Sequence, residues 1–254
     1  MDNKPLFLIS NDDGLGVPGL DHLIEILRPM GEVLVIVPDH ERSGASTSFT
    51  NLIPISSSLV HQEEGLTVYT CSGTPVDCVK LAVNQLCKDR LPDLVVTGIN
   101  HGFNASVAVH YSGTLGAAME ACISGIPSIG FSIDTHSRQV DFAPYLPYLE
   151  KIVLEVLRNG LPEDVFLNVN LPYEAPLRGI RVCRQGRGRW VDELENCHHP
   201  FKRHLYWLTG RFVNLEPEAD NDLKALREGY IALVPEQLDM TSERMLDRLR
   251  SWNL

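Results

Sequence analysis

Short apolar runs rich in β-branched residues alternate, through the first half of the chain, with longer stretches in which apolar side chains recur every three or four positions. Residues 5–11 read as a buried first strand. Pro18 then suits the first turn of a helix reaching about Pro29, with Leu20, Leu23, Ile24 and Leu27 on one face. Val33 to Val37 predicts a second strand ending at Pro38-Asp39, and Leu66 to Cys71 a third. Gly73-Thr74-Pro75 opens a helix through Leu86, with Thr74 as N-cap and Pro75 at the first helical position. Leu94 to Thr97 is a fourth buried strand, ending at Gly98-Ile99-Asn100. A helix from about Gly113 to Ser124, a strand from Ser128 to Ile133 and a helix from Pro144 to Arg158 continue the pattern. Such alternation predicts an α/β fold: a doubly wound, mostly parallel sheet with helices on both faces.

Two stretches break the pattern. Residues 39–65 are rich in Ser and Thr and weakly periodic, the signature of a long loop or irregular hairpin, and such loops are often functional. From Val165 onward strands are expected at 165–169, 179–183 and 229–234, with a polar stretch from Gln185 to about Arg227 carrying Trp190, Tyr206, Trp207 and Phe212. Aromatics in a segment too polar to pack alone point to an arm at 185–227 that docks on another subunit or on the site, against the plainer reading of a flexible surface hairpin. Together these features predict a single domain over 1–254, with a C-terminal β-rich extension or hairpin arm used in oligomerisation.

The chain has 254 residues, of which 44% are hydrophobic and 22% charged, ordinary values for a globular protein. A formal net charge of -11 argues against a binder of nucleic-acid duplexes or of membrane surfaces, both of which need dense Lys and Arg. No apolar stretch reaches the ~18 residues of a membrane-spanning helix, and Met1-Asp2-Asn3-Lys4 lacks a signal peptide's pattern, so a cytoplasmic protein is expected. Six cysteines show no C-x-x-C spacing and read as reduced thiols. Cys197-His198-His199, with His204 nearby, is the one cluster hinting at a soft metal, and it reads better as a solvated loop.

Chemistry collects at the strand ends. The first strand runs into Asn11-Asp12-Asp13-Gly14, the second into Asp39-His40-Glu41-Arg42-Ser43-Gly44-Ala45-Ser46, and the fourth brings Asn100 and then Asn104. In a parallel sheet these ends converge on one crevice. Adjacent carboxylates there repel each other and lose hydration, so they call for a cation, although Asp12 and Asp13 could merely shape a turn and cap a helix. Asn100 alone reads as a turn residue and Ser43 alone as a cap; only the combination makes an all-oxygen shell suited to Mg²⁺, Mn²⁺ or Ca²⁺ rather than zinc. Tyr111-Ser112-Gly113-Thr114 precedes a helix, whose free N–H groups and dipole suit a phosphate, while Ser112 also suits a plain N-cap.

Rival motifs are weaker. Gly14-Leu15-Gly16-Val17-Pro18-Gly19 spells the dinucleotide-binding G-x-G-x-x-G, yet Asp12 and Asp13 stand where a pyrophosphate would sit, with no base in the loop to offset them. A haloacid-dehalogenase-type phosphatase separates its two carboxylates by one residue, whereas here they are adjacent. No G-x-S-x-G elbow is present. A nucleotide-binding oxidoreductase and a metal-stabilised nucleotide sensor without turnover remain as alternatives to a hydrolase.

Several blocks together resemble one family closely, the SurE or survival-protein nucleotidases: Ser10-Asn11-Asp12-Asp13-Gly14 with Pro18-Gly19; Val37-Pro38-Asp39 with Arg42-Ser43-Gly44-Ala45-Ser46; Gly73-Thr74-Pro75-Val76-Asp77-Cys78-Val79; Gly98-Ile99-Asn100-His101-Gly102-Phe103-Asn104; Tyr111-Ser112-Gly113-Thr114; and Glu228-Gly229-Tyr230. The resemblance spans nearly the whole chain. It implies a metal-dependent phosphomonoesterase acting on nucleoside 5′- and 3′-monophosphates, with one divalent ion per subunit (Mg²⁺ or Mn²⁺, with Ca²⁺ as a substitute in crystals) on Asp12, Asp13, Ser43 and Asn100. Gly44, Asn104, Ser112, Gly113 and Thr114 are then expected around the phosphate. Asp12 would orient or deprotonate the attacking water, or take the phosphoryl group as an aspartyl-phosphate. The resemblance also implies a homodimer or homotetramer with exchanged C-terminal elements. Departures are local: Asn104-Ala105-Ser106 replaces a usual glycine after the second Asn, and Cys122 a usual small residue.

Overall fold

The computed structural model describes residues 4–198, 201 and 204–253. Its centre is a nine-stranded sheet built from β1 (Leu6–Ser10), β2 (Glu32–Pro38), β3 (Ser57–Glu63), β4 (Leu66–Cys71), β5 (Leu94–His101), β6 (Ser128–Ile133), β7 (Val165–Leu171), β8 (Gly179–Val182) and β13 (Tyr230–Gln237), in the order β3-β4-β2-β1-β5-β6-β7-β13-β8. From β4 to β7 every pairing is parallel. At one edge β3 runs antiparallel to β4, and beyond β7 the antiparallel β13 is followed by β8. The stretch expected as loop or irregular hairpin thus contains an edge strand, whose alternation was hidden because every residue of β3 is exposed.

The strands read as apolar runs because both faces are covered. Successive side chains of β1 alternate across the sheet: Phe7 and Ile9 join one core layer with α1 (Pro18–Leu27) and α4 (Leu146–Asn159), while Leu8 joins the opposite layer with α2 (Pro75–Leu81) and α3 (Gly113–Ile123). All three are fully buried. Thr74 and Asp77 form a reciprocal capping box at α2, which ends earlier than the expected Leu86 and continues as a π-helical turn at Ala82–Leu86.

Connectivity creates a switch point. From β1 the chain winds through β2 to β4 on one side, then returns to lay β5 on the other side of β1. The carboxyl ends of β1 and β5 therefore flank a crevice, the usual ligand position in an open α/β sheet. The strand expected at 94–97 runs on to His101, with a register shift between Thr97 and Asn100. Close packing of α1 on β5 explains Gly19: a Cβ there would lie 2.3 Å from the Ile99 carbonyl oxygen.

The arm consists of two antiparallel pairs, β9 (Gly188–Val191) with β12 (Arg211–Asn214), and β10 (Leu194–Cys197) with β11 (Leu205–Leu208). Its root is fastened by Asp222 at the start of α5 (Asp222–Arg227), a fully buried carboxylate that accepts backbone N–H bonds from Ser106 at 2.7 Å, Gly186 at 2.8 Å and Leu223 at 2.7 Å. Beyond β13, α6 (Glu243–Arg250) has no buried residue. No described helix is long and apolar enough to cross a membrane.

Asp222→Ala would leave N–H groups from distant segments without an acceptor, which costs about 1–3 kcal/mol each when such groups stay buried. Allowing for water entering the gap, a total loss of roughly 2–4 kcal/mol is expected in urea unfolding. A variant as stable as the parent would show that this carboxylate does not fasten the arm.

Candidate functional site

The turn after β1 is locked by its own side chain. Asn11 donates from Nδ2 to the Gly14 carbonyl at 2.9 Å and accepts the Gly14 N–H at 3.0 Å, and Gly14 takes a positive φ of 86°. Asp12 and Asp13 are the two residues this bracket encloses. The Arg42 N–H donates to the Asp12 carbonyl at 2.7 Å, fastening the loop that carries Ser43 and Gly44. At the carboxyl end of β5, Asn100 donates from Nδ2 to the Gly102 carbonyl at 2.8 Å, which turns its Oδ1 toward the crevice as a free acceptor.

Asp12 faces the start of α3 at very close range. A Cβ on Gly113 would stand 2.9 Å from the Asp12 Cβ, so only glycine fits there. The Thr114 hydroxyl donates to Asp12 Oδ1 at 2.5 Å, and the Thr114 N–H also bonds Asp12. Both donors of Thr114, expected near a phosphate, go to Asp12, and the residue is fully buried. Ser112 accepts the Leu115 N–H at 3.1 Å as the N-cap, the plainer of its two expected roles, and still lines the cavity.

Asp12, Asp13, Ser43, Gly44, Asn100, Asn104 and Ser112 line one cavity of about 540 Å³, which also receives Glu41, His136 and Arg138. Among the sequence-expected residues, Gly113 and Thr114 stand outside its lining. Ser43 is exposed and donates to Glu41 Oε1 at 2.8 Å.

Asn104 is gripped from three sides. Its N–H donates to Asn170 Oδ1 at 2.7 Å, its carbonyl accepts from Asn168 Nδ2 at 3.0 Å, and its Nδ2 donates to Ser132 Oγ at 2.8 Å. Asn170 in turn donates to Asn168 Oδ1 at 2.8 Å, and Asn168 reaches Glu236 Oε1 at 3.2 Å. The sequence reading passed over these residues. The signal was available: asparagines at alternate positions of an otherwise apolar strand share one face, and a buried polar pair implies something to hold. His136 and Arg138 were also missed, although they follow the end of β6, another parallel strand ending at the same rim.

Burial dominates the electrostatics. It raises the Asp12 carboxyl above the ordinary range despite the bonds from Thr114, and Glu41 adds to the rise. Asp13 is pushed up to about 6, by burial first, then by Asp12 and Glu41, with Arg138 opposing. Asp13 Oδ2 is buried without a hydrogen-bond partner. His101 is pushed down by burial and by the nearby Arg138 and His136, which favours the neutral ring, and its Nε2 is likewise buried and unpaired.

These features fit a divalent cation. An unpartnered carboxylate oxygen beside a second desolvated carboxylate is the arrangement such an ion relieves, and Asp12, Asp13, Ser43 and Asn100 would offer it oxygen donors. Of the cysteine–histidine cluster, His199 lies outside the described residues.

The G-x-G-x-x-G turn has other duties here. Gly19 admits β5, and a Cβ on Gly14 would press the Pro38 carbonyl at 3.0 Å.

Comparison with known proteins gives the same architecture a history. A family profile described as "Survival protein SurE" matches residues 7–192. A protein named 5′-nucleotidase SurE from Phocaeicola vulgatus is 51% identical over 252 residues, 99% of this chain and 98% of its own length. Its namesake from Bacteroides fragilis is 49% identical over the full length of both. The crystal structure of SurE protein from Aquifex aeolicus superposes with a TM-score of 0.82 at 35% identity, covering 97% of this chain and 98% of that one.

Removing either charge should relieve repulsion and desolvation in metal-free protein. Asp12→Asn and Asp13→Asn are expected to melt no lower than the parent at neutral pH in chelator, while their calorimetric affinity for Mn²⁺ falls by at least tenfold. Undiminished Mn²⁺ binding by both variants would overturn the assignment of these carboxylates to a cation.

Proposed function

The chain belongs to the survival-protein SurE family, and from that premise we propose that it hydrolyses nucleoside 5′- and 3′-monophosphates to nucleoside and phosphate with one divalent ion per subunit. Three relatives that match it over nearly their whole length carry the name 5′-nucleotidase. The observation that carries the reading is the pair Asp12 and Asp13 at the switch point, one with an unpartnered buried oxygen, facing the amino-terminal end of α3.

In this reading Asp12, Asp13, Ser43 and Asn100 hold Mg²⁺ or Mn²⁺, and the bound ion supplies Lewis-acid polarisation of a phosphoryl oxygen. Ser112, Gly113, Asn104 and Gly44 hold the remaining phosphate oxygens. Thr114 acts through Asp12, whose Oδ1 accepts its hydroxyl. Asp12 then orients the water and accepts its proton as the water oxygen bonds to phosphorus and the ester P–O bond breaks, and the departing nucleoside oxygen takes a proton from solvent.

The arm enters this reading as an assembly element within one domain over 1–254. Leu194, Trp207 and Leu208 at its outer pair are 66%, 66% and 80% exposed, apolar surface that a second copy of the chain would cover in a cytoplasmic homodimer or homotetramer.

Phosphate release from 5′-AMP and 3′-AMP tests the chemistry. Activity is expected with Mn²⁺ or Mg²⁺, loss of at least a hundredfold in EDTA, and recovery on adding the ion back. Full turnover in protein shown metal-free by elemental analysis would sink the mechanism. Deleting residues 196–203 is expected to lower the mass seen by light scattering; a monomeric parent at micromolar concentration would remove the assembly role.

A further inference from the structure

Three aromatic rings remain that the phosphate chemistry does not use. Phe103 sits in the loop between Asn100 and Asn104, and Trp190 on β9 faces it across the cavity wall, the ring centroids 6.5 Å apart and the planes only 21° from parallel. Phe212 on β12 is the cross-strand partner of Trp190. Its ring stands edge-on to both, at 5.4 Å and 80° from Phe103 and 5.5 Å and 74° from Trp190.

The arrangement is built. Phe212 can lie there only because position 188 is glycine: a Cβ would stand 2.1 Å from its Cζ. Phe103 and Trp190 line the cavity that contains Asp12 and Asp13, whereas Phe212 lines a separate groove with Leu223 and Leu226. The third ring therefore buttresses two near-parallel rings whose residues line the reaction cavity. Edge-to-face contacts of this kind fix ring orientation as well as adding cohesion.

A sugar phosphate gains little from such rings, since much of its surface is hydroxylated. A planar heterocycle gains more, because every nucleobase has a π-face that stacks on Phe or Trp. Phe103 is also the residue next to Asn104, so the aromatic wall starts where the proposed phosphate site ends, the order in which base and phosphate occur in a nucleotide.

We propose that Phe103 and Trp190, held by Phe212 over Gly188, form a nucleobase subsite that makes this enzyme discriminate nucleotides from simple sugar phosphates and favours purines, whose larger face covers more of the two rings. The proposal deepens the hydrolase reading above and rests on it for turnover.

The test compares the full-length parent with Trp190→Ala, Trp190→Leu and Trp190→Phe in the presence of Mn²⁺. Leucine keeps apolar bulk without a π-face, and phenylalanine keeps the face. The kcat/KM ratio of 5′-AMP to ribose 5-phosphate is expected to fall about tenfold in the alanine and leucine variants, through KM, and to recover mostly in the phenylalanine variant. The parent's preference for 5′-AMP over 5′-CMP should shrink in parallel.

Calorimetric titration with adenosine, which has no phosphate, supplies a readout independent of hydrolysis. Tight adenosine binding by the parent, weakened about tenfold in Trp190→Leu, supports the subsite. An unchanged AMP to ribose 5-phosphate ratio together with unchanged adenosine binding overturns it. If the parent releases phosphate from no substrate, the hydrolase reading falls and the adenosine titration alone decides the subsite.

Discussion

Two carboxylates side by side at the end of a strand buried on both faces set the terms for everything around them. Asp12 and Asp13 cannot retreat into solvent, because Phe7, Leu8 and Ile9 fix β1 in the core and the Asn11 bracket fixes the turn. Their charge is raised in energy by burial and mutual repulsion. The neighbouring structure answers that strain locally: Thr114 bonds one oxygen of Asp12, Gly113 lets the positive end of α3 approach, and Asn100 keeps its amide nitrogen turned away. One oxygen of Asp13 is left over, and that remainder is what makes the site receptive to a cation.

Much of this was legible in the sequence, for a physical reason. Parallel strands advertise themselves as apolar runs, and the residues ending them are polar because they reach the rim; Asp12, Asp13, Asn100 and Asn104 were found by that logic, Ser112 by its place at a helix start, and all line one cavity. What escaped was contact between segments far apart in the chain. Thr114 looked like a phosphate donor because a hydroxyl at a helix start is attractive to anions, and only the fold reveals the competing carboxylate. The edge strand β3 was hidden because an exposed edge has no alternation to betray it.

The arm shows the same limit in another form. Its aromatics, expected to dock on another subunit or on the site, divide into two groups by depth. Trp190 and Phe212 pack on Phe103 within the same chain, while Tyr206 and Trp207 on the outer pair remain 53% and 66% exposed. Period and composition treat these four residues alike. Register separates them, because β9 and β12 lie at the root and β10 and β11 at the tip.

Asp222 gives that division a dynamic meaning. One side chain receives amides from the loop after Asn104, from the foot of the arm and from α5, so these segments open together or not at all. Local opening in proteins proceeds by such cooperative units. The root of the arm and the loop after Asn104 thereby share one acceptor, so a change at position 222 is felt at the wall of the site as well as in the arm.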